Sequence, residues 1–501
     1  MTASSAAARP ASWASLRLAI TGLALISLAA ILLMFTLARI DRPTLAVVSG
    51  GVALGAYAAG LLCLLGAAWG GDLGLVKWRF APWVLLWYSL AFGLATITWR
   101  KPQVSTSGQI VISDVLGALG LVAIGITFLT VGYLVGPGCW ARRRAARAIE
   151  ILGQRFAGEV RSSATPWLLY LIGVAARLVN TATTGLFGYV GDVSSSVTSV
   201  SGYGQILGLL SLCAPLALCA AALQVYRDRI PGARITLAVL FVVEIIFGAA
   251  SGGKQSFVIA VLAVVIPMSA ARRRLPAMLV IAGILIFLVI IIPFNQAYRS
   301  AVRGGSVTLS PSEAIAAAPG ILRQTLTGHG VLTVIPDSVI FMLQRVREID
   351  APAIILQRTP GQIPFSSPAQ LAEAPIVEVV PRALWPGKPI LATGYKFSQQ
   401  YYGLPPSIYT SSAITPMGDL YRHGGWVPLI GGMLVLGCGL RLLDDVLDIC
   451  TNPHAIFLVL LLFPTLVKGE DDWLSMVASL PAAVLLWLVA VALTFRRRRL
   501  T

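Results

Sequence analysis

The stretch from Pro276 to Phe294, PAMLVIAGILIFLVIIIPF, contains no charged or amide side chain. As a helix it would rise roughly 28 Å at about 1.5 Å per residue, close to the ~30 Å hydrocarbon thickness of a bilayer. In lipid, backbone N–H and C=O groups need partners within their own segment, and a helix supplies them. The stretch therefore predicts a transmembrane helix.

Similar apolar runs recur along the whole chain. Of its 501 residues 57% are hydrophobic and only 12% are charged, and the mean hydropathy is +0.81. This composition excludes an ordinary water-soluble protein. The predicted fold class is all-α, a polytopic transmembrane helix bundle of about twelve spans. The predicted spans lie near residues 16–37, 44–69, 81–98, 110–136, 166–190, 204–225, 235–250, 255–270, 276–294, 426–442, 454–467 and 474–495.

The basic residues between the spans predict an orientation. With the N-terminus inside, more than half of the 38 Lys and Arg residues fall in cytoplasmic segments, including the clusters at 142–161, 272–274 and 496–499. Cytoplasmic loops normally carry this excess of positive charge. We therefore expect a multi-pass protein of the bacterial inner membrane with both termini in the cytoplasm. The net charge of +17 then reflects contact with the lipid bilayer, and nucleic acid is not an expected partner.

One long segment interrupts the apolar pattern. The sequence divides into an N-terminal transmembrane bundle of about nine spans (1–294), a large periplasmic loop (295–414) and a C-terminal bundle of about three spans (415–501). Helical signals, such as the start at Ser310 to Glu313, predict that the loop is partly helical, whereas 360–406, rich in Pro, Gly and Tyr, is expected to be irregular. A loop of this length indicates function.

Familiar signals for cofactors are missing from the sequence. The histidines, His329, His423 and His454, are widely separated and have no metal-ligand spacing, and there is no GxxxxGK phosphate loop. We therefore predict no metal and no cofactor.

Four motifs follow one another through the loop and into the next span. They are NQAYR (295–299), RVREID (345–350), VPRALWPGKP (380–389) and GDLYRHGGW (418–426). In this order they resemble the NxxYR, R-x-x-x-x-D, PRxLWPxKP and GE-LY-x-x-FG-W elements of the oligosaccharide repeat-unit polymerases, the Wzy-type O-antigen and capsule polymerases. In the last motif Asp419 replaces the usual Glu and His423 the usual aromatic residue.

This resemblance implies a membrane glycosyltransferase. Such an enzyme joins undecaprenyl-diphosphate-linked oligosaccharide units at the periplasmic face, in O-antigen, capsule or exopolysaccharide synthesis. A flippase and a chain-length regulator are implied as partners.

A diphosphate donor needs cations at the membrane surface. The loop and its exit carry ten basic residues, where an outer segment normally has few. As a solvated surface they would need no ligand, but Arg299 and Arg382 stand in the family-like motifs. The candidate donor-binding residues are Arg299, Arg303, Arg345, Arg382, Lys388, Arg177 and Lys254.

The acceptor hydroxyl needs a general base. Asp419, Arg422 and His423 stand at i, i+3 and i+4, so a helix would place them on one face as the candidate catalytic group. Alternatively, Asp419 caps a helix start while Arg422 and His423 anchor it at the interface.

Two candidate residues lie in or beside predicted spans. Arg177 lies in an apolar segment, where a charge needs a cavity or a partner. It could line the lipid-diphosphate pocket or pair with Glu244 to hold two helices together. Lys254, in the turn SGGK (251–254), could meet a phosphate.

Other functions remain open on the sequence alone. A transporter or flippase of a lipid-linked substrate also needs charge within the membrane, although no internal duplication is visible. An O-antigen ligase or a polyprenyl-phosphate-sugar transferase would use similar donor chemistry with a different acceptor. A noncatalytic scaffold of an export machine would not need the cluster of Arg299, Arg382 and Arg422.

Overall fold

The computed structural model describes residues 12–99, 110–188, 190, 203–303, 311–328, 331–380, 384, 385, 387, 393–406 and 411–497. Helices dominate these ranges, and two short strands pair in a single small sheet. The first part contains α1 (Trp13–Ala38), α2 (Pro43–Ala68), α3 (Phe80–Tyr88, extended by a π turn and a 3₁₀ turn to Thr98), α4 (Ile112–Val135), α5 (Cys139–Arg155), β1 (Phe156–Val160) and α6 (Thr165–Thr184).

The middle and last parts are built in the same way. The middle part contains α7 (Gly204–Ser211), α8 (Cys213–Tyr226), α9 (Ala233–Ala250), α10 (Lys254–Arg272), α11 (Ala277–Ile286, continued by a π turn, Phe287–Ile291) and α12 (Ile292–Arg303). There follow α13 (Pro311–Gly328), α14 (Val331–Val346), α15 (Asp350–Arg358), α16 (Ala369–Val379) and α17 (Thr393–Tyr402). The chain ends in α18 (Pro416–Arg422), α19 (Trp426–Val446), α20 (Pro453–Lys468), α21 (Trp473–Thr494) and β2 (Phe495–Arg497), which pairs antiparallel with β1.

Ten segments in the described ranges are long and apolar enough to cross a membrane. They are α1, α2, Phe80–Thr98, α4, Gly204–Tyr226, α9, α10, Ala277–Val302, α19 and α21. The prediction of a helical membrane protein is confirmed. Of the remaining predicted spans, 166–190 corresponds to α6, whose polar residues include Arg177, and 454–467 corresponds to α20, a shorter apolar helix.

The helices pack closely where small residues meet. A Cβ atom on Gly132 of α4 would overlap the Leu434 carbonyl of α19, and one on Gly437 of α19 would overlap the Leu129 carbonyl. Apolar burial adds little between helices in lipid, so van der Waals contact at small residues becomes a main attraction. The paired glycines therefore allow α4 and α19 to come close enough to hold each other.

A buried carboxylate fixes another helix end. Asp444 of α19 accepts hydrogen bonds from the backbone N–H of Phe80 (2.6 Å) and Ala81 (3.3 Å) and from the Tyr133 hydroxyl (3.0 Å). The first N–H groups of a helix have no partner within the helix. Asp444 satisfies two of them at the start of α3 and joins α3, α4 and α19.

The middle segment is more helical than the sequence suggests. Residues 360–406 were expected to be irregular, yet α16 and α17 lie within them. The apolar helix that begins at Ala277 also continues through Asn295 to Arg303, beyond the boundary predicted at residue 294. The NxxYR motif is therefore part of a helix and not of an extended loop.

Candidate functional site

The NxxYR motif holds the turn between α9 and α10. Asn295 Nδ2 donates to the carbonyl of Gly252 (2.7 Å), and Arg299 donates to the same carbonyl through Nε (3.2 Å) and Nη2 (3.1 Å). The Tyr298 hydroxyl donates to the carbonyl of Ala250 (2.6 Å). Positions i, i+3 and i+4 of α12 share one face, so one face makes all these bonds. The motif thus binds carbonyl oxygens that the end of α9 leaves without helical partners.

The turn itself is tightly enclosed. Gly252 has φ +66°, in the left-handed region that favours glycine. On the other side, a Cβ atom on Gly188 would overlap the Ser251 carbonyl. Because the turn is fixed from both sides, Lys254, which follows it, begins α10 in a defined position.

Three cations meet beside this turn. Arg299 and Arg345 both lie close enough to Lys254 to repel its ammonium group, and Lys254 Nζ lies 4.5 Å from the centroid of the Phe341 ring. In the described part of the chain, neither Lys254 nor Arg345 forms an ion pair with a carboxylate. We call Lys254, Arg299 and Arg345 the basic cluster. Three cations from separate helices favour an anion between them.

Arg177 has an internal partner. Its two terminal nitrogens donate to the two oxygens of Glu244, at 2.7 and 2.9 Å, and the Tyr170 hydroxyl lies 3.3 Å from Glu244 Oε2. The guanidinium carbon also lies 4.7 Å from the centroid of the Phe247 ring, one turn before Ser251. A bidentate pair of this kind joins α6 and α9. Of the two roles considered for Arg177, this geometry matches the pairing of two helices.

The residues Asp419, Arg422 and His423 do share one location. Asp419 Oδ1 accepts from Arg422 Nε at 2.6 Å, and Oδ2 accepts from the backbone N–H of Leu474 at 3.2 Å. His423 Nδ1 lies 2.7 Å from the Asp419 carbonyl oxygen. We call Asp419, Arg422 and His423 the acid–base cluster. It joins α18 to the first turn of α21, where a carboxylate is favourable.

The acid–base cluster is closed to solvent. The exposed fractions are 0% for Asp419, 9% for Arg422 and 1% for His423. Burial raises the pKa of the Asp419 carboxyl above its ordinary value, and the adjacent Arg422 guanidinium opposes that rise. Because a carbonyl oxygen can only accept, His423 Nδ1 donates this hydrogen bond, which leaves Nε2 as the ring nitrogen that can accept a proton when the ring is neutral.

The two arginines of the RVREID motif make different contacts. Arg345 joins the basic cluster, whereas Arg347 pairs with Asp350 through Nη2–Oδ2 (2.9 Å) and Nε–Oδ1 (3.2 Å). Arg347 Nη1 also donates to the Thr98 carbonyl at 3.1 Å. Arg347, through Asp350 and the Thr98 carbonyl, therefore anchors the start of α15 to the end of the α3 segment.

Sequence reasoning missed Glu348. This residue is only 4% exposed, its Oε1 lies 3.3 Å from Trp87 Nε1, and its Oε2 has no hydrogen-bond partner among the described residues. Lys468, Glu470 and Asp471 stand nearby. Burial, and then the neighbouring Glu470 carboxylate, raises the pKa of Glu348 well above its ordinary value. Glu348 directly follows Arg347 in the charged string RVREID, a pattern typical of a surface segment, so the sequence held no signal for its burial.

Other candidates lie beyond the described structure. Arg382 and Lys388 lie outside the described residues, as does most of the VPRALWPGKP motif. Arg303 ends α12, and its side chain is also outside them. The structure therefore brings together Lys254, Arg299 and Arg345 in one place and Asp419, Arg422 and His423 in another.

The helical architecture and the two charged clusters define a polytopic, α-helical membrane protein with a candidate anion site beside a helix turn. A family model described as a domain of unknown function, DUF8712, matches residues 176–442. The chain belongs to this family. No curated protein and no solved structure matches the chain. The matched range begins at Arg177's neighbour Ala176 and ends within α19, so it contains both clusters.

Proposed function

We propose that this protein is a membrane glycosyltransferase that polymerises undecaprenyl-diphosphate-linked oligosaccharide repeat units. The observation that carries the proposal is the basic cluster. Lys254, Arg299 and Arg345 converge at the ends of apolar helices, and the last two belong to the NxxYR and RVREID motifs. A lipid-linked diphosphate has its anionic group at this kind of boundary between apolar and polar surroundings.

The proposal includes a topology. We infer twelve spans, with α6 and α20 added to the ten longer apolar segments, and both termini in the cytoplasm of a bacterial inner membrane. The segment that follows the span Ala277–Val302, up to residue 414, then faces the periplasm, with the basic cluster at that surface. The excess of Lys and Arg on the opposite side supports this orientation.

The chemistry follows from the charges. An acceptor sugar hydroxyl attacks the anomeric carbon of the donor, the bond from that carbon to the diphosphate oxygen breaks, and the diphosphate leaves with the electron pair. The basic cluster stabilises the negative charge that grows on the leaving group. Arg382 and Lys388 are further donor-binding candidates from the resemblance to the polymerases.

We assign the acceptor proton to His423. Asp419 already uses both carboxylate oxygens within the protein, so we assign Asp419 and Arg422 to positioning the histidine, and His423 Nε2 receives the proton. In the closed arrangement His423 is 1% exposed. The Ser366 N–H donates to the carbonyl of Arg422 (2.9 Å), the residue before His423, and we propose that this contact opens when the acceptor enters.

The test is polymer formation in a host that lacks its own polymerase and makes the matching repeat unit. Wild type is compared with Lys254→Gln, Arg345→Gln and His423→Gln at equal membrane levels. We expect long chains from wild type and single lipid-linked units from the variants. Arg323→Gln, which removes an exposed arginine of α13, is the matched charge control and should retain long chains.

The outcomes separate the alternatives. If the three variants polymerise like wild type, the clusters have no part in transfer and the proposal fails. If wild type transfers single units to another acceptor without making chains, the protein is a ligase or sugar transferase. If it only moves the lipid-linked unit across the membrane, it is a transporter.

A further inference from the structure

A long apolar cavity lies between α9, α10 and α11. Its volume is about 1810 Å³, and its walls are mainly Leu, Ile, Val and Phe side chains. Along α10 the lining runs from Phe257 to Arg272, roughly 22 Å at about 1.5 Å per residue. Ile235, Ile281 and Ile284 line it and are more than half exposed, so the cavity opens sideways from the helix bundle. In a bilayer, this opening faces lipid.

Arginine residues line one end of the cavity. Arg229 and Arg234 flank the start of α9, and Arg272 is the last residue of α10. All three are exposed, and none forms an ion pair within the described ranges. Arg272 lies 5.4 Å from the centroid of the Tyr226 ring. An apolar channel with cations at one mouth complements an amphiphile with an anionic head.

Two buried hydrogen-bond donors also line the cavity. Trp78 and Trp83 stack with their ring centroids 5.0 Å apart, and both contact Phe463. Neither indole N–H has a hydrogen-bond partner among the described residues, although both nitrogens are buried. Buried tryptophan N–H groups normally find an acceptor. Trp78 also holds φ +53°, an unusual backbone conformation for a bulky residue. A ligand with acceptor oxygens would satisfy these donors.

We propose that this cavity binds a phospholipid with an anionic headgroup, of the phosphatidylglycerol type. The phosphate lies among Arg229, Arg234 and Arg272, the ester oxygens accept from Trp78 and Trp83, and an acyl chain fills the apolar channel. Arg272 and Lys254 stand at opposite ends of α10, so this site is separate from the basic cluster. The inference therefore does not depend on the proposed glycosyl transfer.

The experiment is a lipid titration of the full-length protein, delipidated in detergent and followed by native mass spectrometry. Phosphatidylglycerol is compared with phosphatidylcholine of the same chains. We expect clear preference for phosphatidylglycerol, and a loss of about a hundredfold in its affinity when Arg229, Arg234 and Arg272 are all changed to Gln, at about a factor of five per cation. Changing Arg143, Arg147 and Arg155 of α5 to Gln removes the same charge elsewhere and should cost less than threefold.

Two further variants separate binding in the cavity from attraction to a charged surface. Ala282→Trp fills the channel but keeps the arginines, and we expect it to weaken phosphatidylglycerol binding about tenfold or more. The double change of Trp78 and Trp83 to Phe removes both indole N–H donors and keeps an aromatic ring at each position, and it should cost about tenfold. Variants are compared only when their size-exclusion profiles match wild type.

Four results would overturn the proposal. One is equal affinity for the two lipids in wild type. Another is an equal loss in the α5 control and the triple variant, because then the attraction is a general surface effect. The third is full retention of binding in Ala282→Trp together with the tryptophan variant. The fourth is displacement of the lipid by inorganic phosphate, the soluble probe, at equal concentration, because the site would then bind free phosphate and not a phospholipid.

Discussion

The basic cluster and the acid–base cluster differ in how their charges are balanced. Lys254 and Arg345 have no carboxylate partner in the described part of the chain, whereas Asp419 has both oxygens occupied, by Arg422 and by the Leu474 N–H. The first cluster lies partly at the surface and the second is buried. A buried charge depends on its internal partner, because removing that partner leaves the charge uncompensated, while like charges held together favour an external counter-ion. This difference supports our proposal that the basic cluster binds the ligand and that Asp419 positions His423.

The largest expected effect is on stability, when the buried acid–base cluster loses its carboxylate. Asp419→Asn leaves the Arg422 guanidinium buried without its carboxylate, which typically costs about 3–5 kcal/mol. We expect a lower thermal unfolding temperature in detergent, measured by loss of the monodisperse peak after heating. Asp337→Asn, at an exposed position of α14, is the control. If Asp419→Asn unfolds like wild type but loses activity, Asp419 takes part directly in the chemistry.

A reversal of charge tests the basic cluster, whose residues Lys254 and Arg345 have no carboxylate partner in the described part of the chain. Arg345→Glu places a carboxylate beside Lys254 and so balances the basic cluster from within. We expect donor binding to weaken about a hundredfold, since a hydrogen bond to a charged group contributes roughly 1.5–3 kcal/mol, with no loss of thermal stability. Binding of the lipid-linked donor is measured on purified protein. An unchanged affinity would show that Arg345 does not face the donor.

The smallest effect concerns Glu348, a buried carboxyl outside both clusters. Folding raises the pKa of Glu348, so the protonated carboxyl favours the folded state. This contribution to stability is fully present below the ordinary glutamate pKa and is lost as the pH rises through the pKa that Glu348 has in the folded protein. Glu348→Gln removes this dependence. We expect the variant to unfold at a higher temperature than wild type at pH 8, with the gap closing as pH falls toward 4.

The measurement is a series of thermal unfolding temperatures between pH 4 and pH 8. Glu373→Gln, at an exposed position of α16, is the matched control and should follow wild type throughout. A constant gap between Glu348→Gln and wild type at every pH would contradict the prediction, because the effect would then come from packing and not from a proton.

The NxxYR motif shows how much of the site the family resemblance could predict. It pointed to Arg299, and the structure does place Arg299 beside Lys254. The carbonyl groups that Asn295, Tyr298 and Arg299 bind, at Ala250 and Gly252, lie more than 40 residues earlier in the chain. No local pattern reports such a contact. The sequence likewise named Arg177 and Glu244 as possible partners but left a second role open.

Hydrophobicity along the chain by itself determined that this is a helical membrane protein, because apolar length and backbone hydrogen bonding leave few other solutions in lipid. Charge placement predicted an orientation, and the motifs predicted candidate residues. Only the tertiary structure decided which charges meet. It brought Lys254 and Arg345 together, enclosed Asp419 and buried Glu348, because these arrangements depend on contacts between helices distant in sequence, where burial and the neighbouring charges set each group's chemistry.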